Sequence, residues 1–182
     1  MSELISGKKI SSQIKEELRN EIEKLKESGL EPCLAVILVG EDPASAVYVR
    51  NKKRTCEELG IRSVGHDLPE TTSQNELENL VNDLNNDPSV HGILNQFPLP
   101  NGLDESRVIR KISPEKDVDG LNPLNAGLIA MGQPSFISCT PYGVLQMLKR
   151  SNISTSGKNA VVLGRSNLVG RPIATLLSSK GW

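Results

Sequence analysis

The chain of 182 residues has few cysteines, no long apolar run and no excess of either charge. Each lack excludes something. Cys33, Cys56 and Cys139 are odd in number and far apart, so they form neither a metal-binding pattern nor a disulfide framework; reduced thiols are the expectation, and no metal. The longest apolar stretch, residues 34–39, falls far short of the ~20 residues that span a bilayer. A net charge of −1 leaves no basic surface for nucleic acid or for an anionic membrane. Repeats and low-complexity segments are also missing. The start, Met1-Ser2-Glu3, leads into a charged helical pattern and carries no mark of a signal peptide. What is present, 37% hydrophobic and 24% charged residues, fits a folded globular chain, with the cytoplasm as its expected location.

Periodicity supplies the elements. Ile10, Ile14, Leu18, Ile22 and Leu25 recur at helical spacing, and Gly29 stops the pattern. Residues 33–39 read as a buried parallel strand. Asp42-Pro43 opens a helix, with a capping carboxylate and a proline suited to the first turn, and Gly60 closes it. A weaker strand covers 61–67. Ser73 and Glu76 make a capping box ahead of the stripe Leu77, Leu80, Val81 and Leu84. A third strand covers 90–96 and runs into Phe97-Pro98-Leu99-Pro100. Helices are predicted over 104–111, around 124–131 and from Thr140-Pro141 to about Arg150, with a loop over 113–122. The polar segment 151–158 marks a domain boundary. A new buried strand is predicted over 159–163, then a glycine turn to Gly170 and a helix over 172–180. Strand and helix alternate throughout, which predicts an α/β layer with a mainly parallel sheet. Residues 1–150 form the first domain. Residues 151–182 form only the start of a second, because one strand and one helix do not bury that helix.

The helix after Asp42 carries a lysine on the wrong side. At about 100° per residue, Val49, Cys56 and Leu59 share one face, and Arg50, Arg54, Glu57 and Glu58 lie opposite. Ser45, Tyr48 and Lys52 belong to the apolar face. A lysine there either snorkels to water along its stem or is desolvated, and a desolvated lysine can move protons near neutral pH. Tyr48, one turn earlier, can hydrogen-bond to it or stack on a flat ligand.

The segment Gly40-Glu-Asp-Pro-Ala-Ser45-Ala-Val-Tyr48-Val-Arg-Asn-Lys52 resembles the folate-site signature of the methylenetetrahydrofolate dehydrogenase/cyclohydrolase family, in which one helix carries Ser-x-x-Tyr-x-x-x-Lys. The resemblance implies that Lys52 is the catalytic lysine and that Ser45 and Tyr48 help to bind folate. His91-Gly-Ile-Leu-Asn95-Gln96-Phe97-Pro-Leu-Pro100 is similar to the family's Gly-Ile-Leu-Val-Gln-Leu-Pro-Leu-Pro, with Asn95 and Phe97 as departures. On strand topology alone, Gln96 stands where open α/β sheets meet ligands, although a terminal glutamine is more often merely solvated. The family assigns it to the lysine and to folate. In Asp117-Val-Asp119-Gly120, read by itself as a solvated turn, the family's second aspartate grips the pterin, so that Asp119 takes this role. A carboxylate suits it, since a pterin offers neighbouring N–H donors.

Gly164-Arg165-Ser166-x-x-Val169-Gly170-x-Pro172 is neither a Gly-x-Gly-x-x-Gly turn nor a P-loop. A glycine turn before a helix suits a phosphate, and an ordinary strand-turn-helix reads the same way. The stretch matches the family's form in full. The resemblance therefore implies that these residues bind a dinucleotide at the start of a Rossmann-like domain. Arg165 then stands at the extra phosphate of NADP. It also implies a homodimer acting on tetrahydrofolate derivatives. The activity is oxidation of 5,10-methylenetetrahydrofolate and hydrolysis of the methenyl product. Asn125-Ala-Gly127 and Cys139-Thr140-Pro141-Tyr142-Gly143 match family segments as well, whereas His66 and His91 match no catalytic role. Two rivals stand beside this reading: a folate-binding remnant without catalysis, and an amino-acid or shikimate-type dehydrogenase of similar architecture. Family members continue through further nucleotide-domain strands, so residues 151–182 are expected to bind NADP poorly by themselves.

Overall fold

The fold was obtained as a computed structural model, which describes residues 4–178. In chain order the elements are α1 (Gly7–Glu27), β1 (Cys33–Val39), α2 (Pro43–Leu59), β2 (Arg62–Leu68), α3 (Gln74–Asn86), β3 (Gly92–Asn95), α4 (Glu105–Lys111), α5 (Pro123–Ala130), α6 (Cys139–Arg150) and α7 (Gly170–Ser178). The three strands form one parallel sheet in the order β2-β1-β3. Parallel neighbours need crossovers, and α2 and α3 supply them. The chain divides into two compact units: residues 15–117, and the remaining described residues.

In the unit 15–117, β1 is the central strand and is buried on both faces, which is why its sequence is continuously apolar instead of alternating. Cys33, Ala35, Ile37 and Val39 point into a core with Leu77, Val81 and Leu84 of α3, Ile93 of β3 and Val108 of α4. Val36, with 2% exposure, faces the other side. β2 lies at an edge and is only half-buried, so its sequence reads as the weaker strand. The helix ends follow their sequence signals. Asp42 Oδ2 accepts the Ser45 N–H at 2.7 Å, Gly60 ends α2 with φ 81°, and Ser73 and Glu76 form the reciprocal capping box. Asp104 takes the N–H groups of Ser106 and Arg107 at the start of α4. The stripe of α1 is covered unevenly: Ile22 is buried, while Leu18 and Leu25 stay partly exposed.

In the other unit, α5, α6 and α7 pack through Ile129, Leu145 and Leu176. The strand predicted over 159–163 does not form. That segment is irregular, and Val161 and Leu163 are 85% and 96% exposed. A parallel strand exists through ladder bonds to a neighbour, and among the described residues no strand lies beside this one. The helix after it starts at Gly170, two residues earlier than its sequence suggests, and the end expected for it at residue 180 lies outside the described residues.

Candidate active site

α2 begins where β1 ends, so its first turns lie level with the carboxyl ends of the strands. Ser45, Cys56 and Leu59 form its buried face, at 3%, 8% and 6% exposure, and Lys52 lies on that face half-buried. Its Nζ donates to Gln96 Oε1 at 3.2 Å. Gln96 is held in two further ways: its Nε2 donates to the Phe97 carbonyl at 2.8 Å, and its backbone N–H donates to the Ile37 carbonyl at 2.9 Å. With Nε2 engaged, Oε1 is the atom left to meet the lysine, which fixes the sense of the amide. The two readings of Lys52 merge here. The side chain is half-buried, and its ammonium rests on a polar partner.

Tyr48 differs from the sequence reading: it is 61% exposed. Lys52 is level with Gln96, one residue beyond β3, and Tyr48 lies a helical turn, about 6 Å, further toward the helix start. It therefore overhangs the end of the sheet, where no strand covers it. Ser45 is buried, and its backbone N–H is the group that Asp42 caps. This hydrogen bond holds the Asp42 carboxyl below its ordinary value. Gly40, with φ 79°, closes the turn after β1 against Pro100: a Cβ there would stand 3.3 Å from Pro100 Cγ.

Asp117 belongs to the same unit. It is 2% exposed, and a single parallel bridge joins it to Ile93. Asp119 belongs to the other unit and is half-buried. The Cys139 thiol, a weak donor, lies 3.8 Å from Asp119 Oδ1 and 3.7 Å from the Val118 carbonyl. Gly120 has φ 62°, and a Cβ on it would stand 2.7 Å from both Ile137 C and Ser138 N. The Asp-Gly loop thus lies directly on the backbone before α6. This contact was not legible in the sequence, because nothing in residues 136–138 marks a close approach.

The turn before α7 is tight. Ser166 Oγ accepts the N–H groups of Val169 and Gly170 at 3.1 and 3.3 Å, and the Ser166 carbonyl accepts the Arg171 N–H at 3.0 Å. Gly170 is buried, and a Cβ there would collide with the Gly164 carbonyl and approach Arg165 N to 2.8 Å. Arg165 itself is exposed. Ser138, at the N-cap position of α6, makes no cap and donates its hydroxyl to the Leu168 carbonyl at 2.7 Å. The sequence reading missed this tie. A cavity of about 300 Å³ lies in this unit, with Gly120, Leu121, Phe136, Ser138, Asn167 and Arg171 among its walls.

The model of the tetrahydrofolate dehydrogenase/cyclohydrolase catalytic domain matches residues 5–119, and that of the family's NAD(P)-binding domain matches residues 138–182. The chain belongs to the tetrahydrofolate dehydrogenase/cyclohydrolase family. The bifunctional protein FolD of Caldicellulosiruptor saccharolyticus is 59% identical over 171 residues, which make up 92% of this chain and 61% of that protein. Among solved structures, the bifunctional enzyme FolD of Campylobacter jejuni is 49% identical with a TM-score of 0.95, over 96% of this chain and 62% of that one. The Trypanosoma brucei methylenetetrahydrofolate dehydrogenase-cyclohydrolase, solved with NADP cofactor and inhibitor, is 35% identical with a TM-score of 0.92, over 97% and 61%. The chain therefore spans less than two thirds of the length of these relatives. Membership sets aside the amino-acid and shikimate-type dehydrogenases. No helix among the described residues is long and apolar enough to cross a membrane.

Proposed function

We propose that the chain is the folate-binding part, with the start of the NADP-binding part, of a bifunctional methylenetetrahydrofolate dehydrogenase/cyclohydrolase that works in the cytoplasm as a homodimer. Residues 1–150 form the folate domain, and residues 151–182 open the nucleotide domain. The first reaction takes a hydride from the methylene carbon of 5,10-methylenetetrahydrofolate and leaves the methenyl cation. The second adds water to that cation, opens the ring to 10-formyltetrahydrofolate and releases a proton.

The observation that carries this reading is the Lys52–Gln96 hydrogen bond at the carboxyl end of the sheet. Lys52 moves a proton while water adds and the ring opens. Gln96, fixed by its bonds to Phe97 and Ile37, holds the ammonium in place. Tyr48, exposed beyond the strands, offers its ring face to a flat ligand. Asp119 accepts N–H donors of the pterin, and Ser45 shapes the start of the helix that carries Lys52. NADP, when bound, accepts the hydride. Gly164, Ser166, Val169 and Gly170 form a turn that admits no side chain at position 170, and exposed Arg165 supplies the cation for the extra phosphate of the cofactor.

The test replaces Lys52 with methionine, which keeps the length of the side chain and removes the charge. Hydrolysis of 5,10-methenyltetrahydrofolate, followed by its absorbance, should fall by a factor of about 100 or more, while folate binding is retained. Hydrolysis at the parental rate in a folded Lys52→Met protein would refute the assignment. Folate binding without turnover in the unsubstituted protein would instead favour a binding remnant.

A further inference from the structure

Residues 137–139 touch two loops that the proposed function assigns to different ligands. The Asp119 loop rests on their main chain: a Cβ at Gly120 would stand 2.7 Å from both Ile137 C and Ser138 N, and the Cys139 thiol lies 3.8 Å from Asp119 Oδ1. The nucleotide turn is reached by a side chain: the Ser138 hydroxyl donates to the Leu168 carbonyl at 2.7 Å, within the turn 164–170. Ser138 is 8% exposed, so this bond is shielded from water. A serine before a helix ordinarily accepts the N–H of the second or third helical residue. In α6 the third is Pro141, which has no N–H, and the hydroxyl makes no cap. It is therefore free to donate away from the helix. The Ser138 carbonyl accepts the Tyr142 N–H at 3.0 Å, so the backbone that carries the hydroxyl is held to the first turn of α6. The cavity of about 300 Å³ draws its walls from all three parts: Gly120 and Leu121, Ser138, and Asn167.

We propose that Ser138 is a positioning residue whose hydroxyl couples the folate loop to the nucleotide turn. The proposal rests on the function proposed above and adds a connection between its two sites. The turn has two states, tied to Ser138 and released. In the tied state Ser138 holds Leu168 from outside, while Ser166 Oγ gathers the N–H groups of Val169 and Gly170 from within. In the released state the inner bonds stand alone, and the irregular segment 159–163 before the turn lends no ladder to support them. A folate whose N–H donors engage Asp119 fixes the loop. Gly120 leaves no slack against the main chain of 137–138, so that segment is fixed as well. Restricting it beforehand removes part of the entropy that the tie would otherwise cost, and the tied state gains population. A dinucleotide then meets a formed turn. By linkage, a dinucleotide that selects the tied turn favours folate binding to the same degree.

Amide hydrogen exchange at Val169 and Gly170 reads the state of the turn, and tetrahydrofolate is the probe. In the unsubstituted chain, saturating tetrahydrofolate should slow both amides roughly tenfold. In Ser138→Ala the slowing should vanish, while calorimetry finds tetrahydrofolate still bound. Ser138→Thr, which keeps a hydroxyl, should restore it. A tie that only braces the turn gives another pattern: exchange in Ser138→Ala rises equally with and without tetrahydrofolate, and the slowing by the ligand survives. That pattern overturns the coupling. So does a chain that binds tetrahydrofolate without any slowing at these amides. Both results leave the folate reading standing. A chain that does not bind tetrahydrofolate overturns the folate reading, and the coupling with it.

Discussion

Asp117 and Asp119 are two residues apart in one short motif, and their surroundings assign them different work. Asp117 is buried in the unit of the sheet, bridged to Ile93; Asp119 is half-buried beside the Cys139 thiol. Asp119→Ala should leave the melting temperature nearly unchanged and weaken folate binding by about 2–4 kcal/mol, the worth of one or two charge-assisted contacts. Asp117→Ala should instead act on stability, lowering it by ~2 kcal/mol or more. Titration calorimetry with a folate, paired with urea unfolding of both variants, separates the two effects; equal loss of binding at equal stability would show that the pterin anchor is misassigned. The sequence alone placed Lys52 with Gln96 only through a resemblance, since a helical wheel does not know which strand end it faces. It misplaced Tyr48 because a wheel carries no information about where the sheet stops. It also gave no hint that both polar atoms of the Asn95 side chain lie buried without a hydrogen-bond partner. A residue that departs from its family's apolar pattern looks harmless until its surroundings are known.

The helices are held at their ends by acidic caps, and the caps give the fold a pH dependence. Asp42 takes the Ser45 N–H, Asp104 takes the Ser106 hydroxyl and the N–H groups of Ser106 and Arg107, and Glu76 closes the box with the hydroxyl and N–H of Ser73. These hydrogen bonds hold all three carboxyls below their ordinary values of 3.8 and 4.5. A carboxyl whose folded value is depressed adds stability above its unfolded value, and loses that contribution as pH falls through the folded one. Stability should therefore be level from neutral pH to about pH 5 and decline below it. Urea midpoints measured across that range check the prediction. Asp42→Asn and Asp104→Asn, which cap without titrating, should flatten the decline. The caps at Asp42 and in the Ser73–Glu76 box were readable because they are local: donor and acceptor lie within three residues; the cap at Asp104 was read as part of its helix. The strand expected over 159–163 was read equally locally and did not form, because a strand is completed by a neighbour and not by its own sequence.

At the scale of the molecule, the two units differ in how thoroughly they bury their backbone. The unit 15–117 holds a continuous core from β1 through α3 and α4, whereas residues 159–163 present Val161 and Leu163 to solvent. Amide hydrogen exchange should therefore be slowest in β1, with its neighbours on both sides, and fastest over residues 151–166. Protection of 159–163 comparable to that of β1 would mean that the segment is paired in solution.

The loop at Gly120 has a genetic corollary. The atoms that fill the space of its absent side chain belong to the main chain of residues 136–138, and main-chain atoms are the same whatever the codon. The restriction is therefore one-sided. Codon 120 is confined to glycine, and Phe136 and Ile137 are left free of this particular demand. A damaged position 120 also has no simple suppressor there, because no exchange of side chains at 136 or 137 removes a carbonyl or an amide.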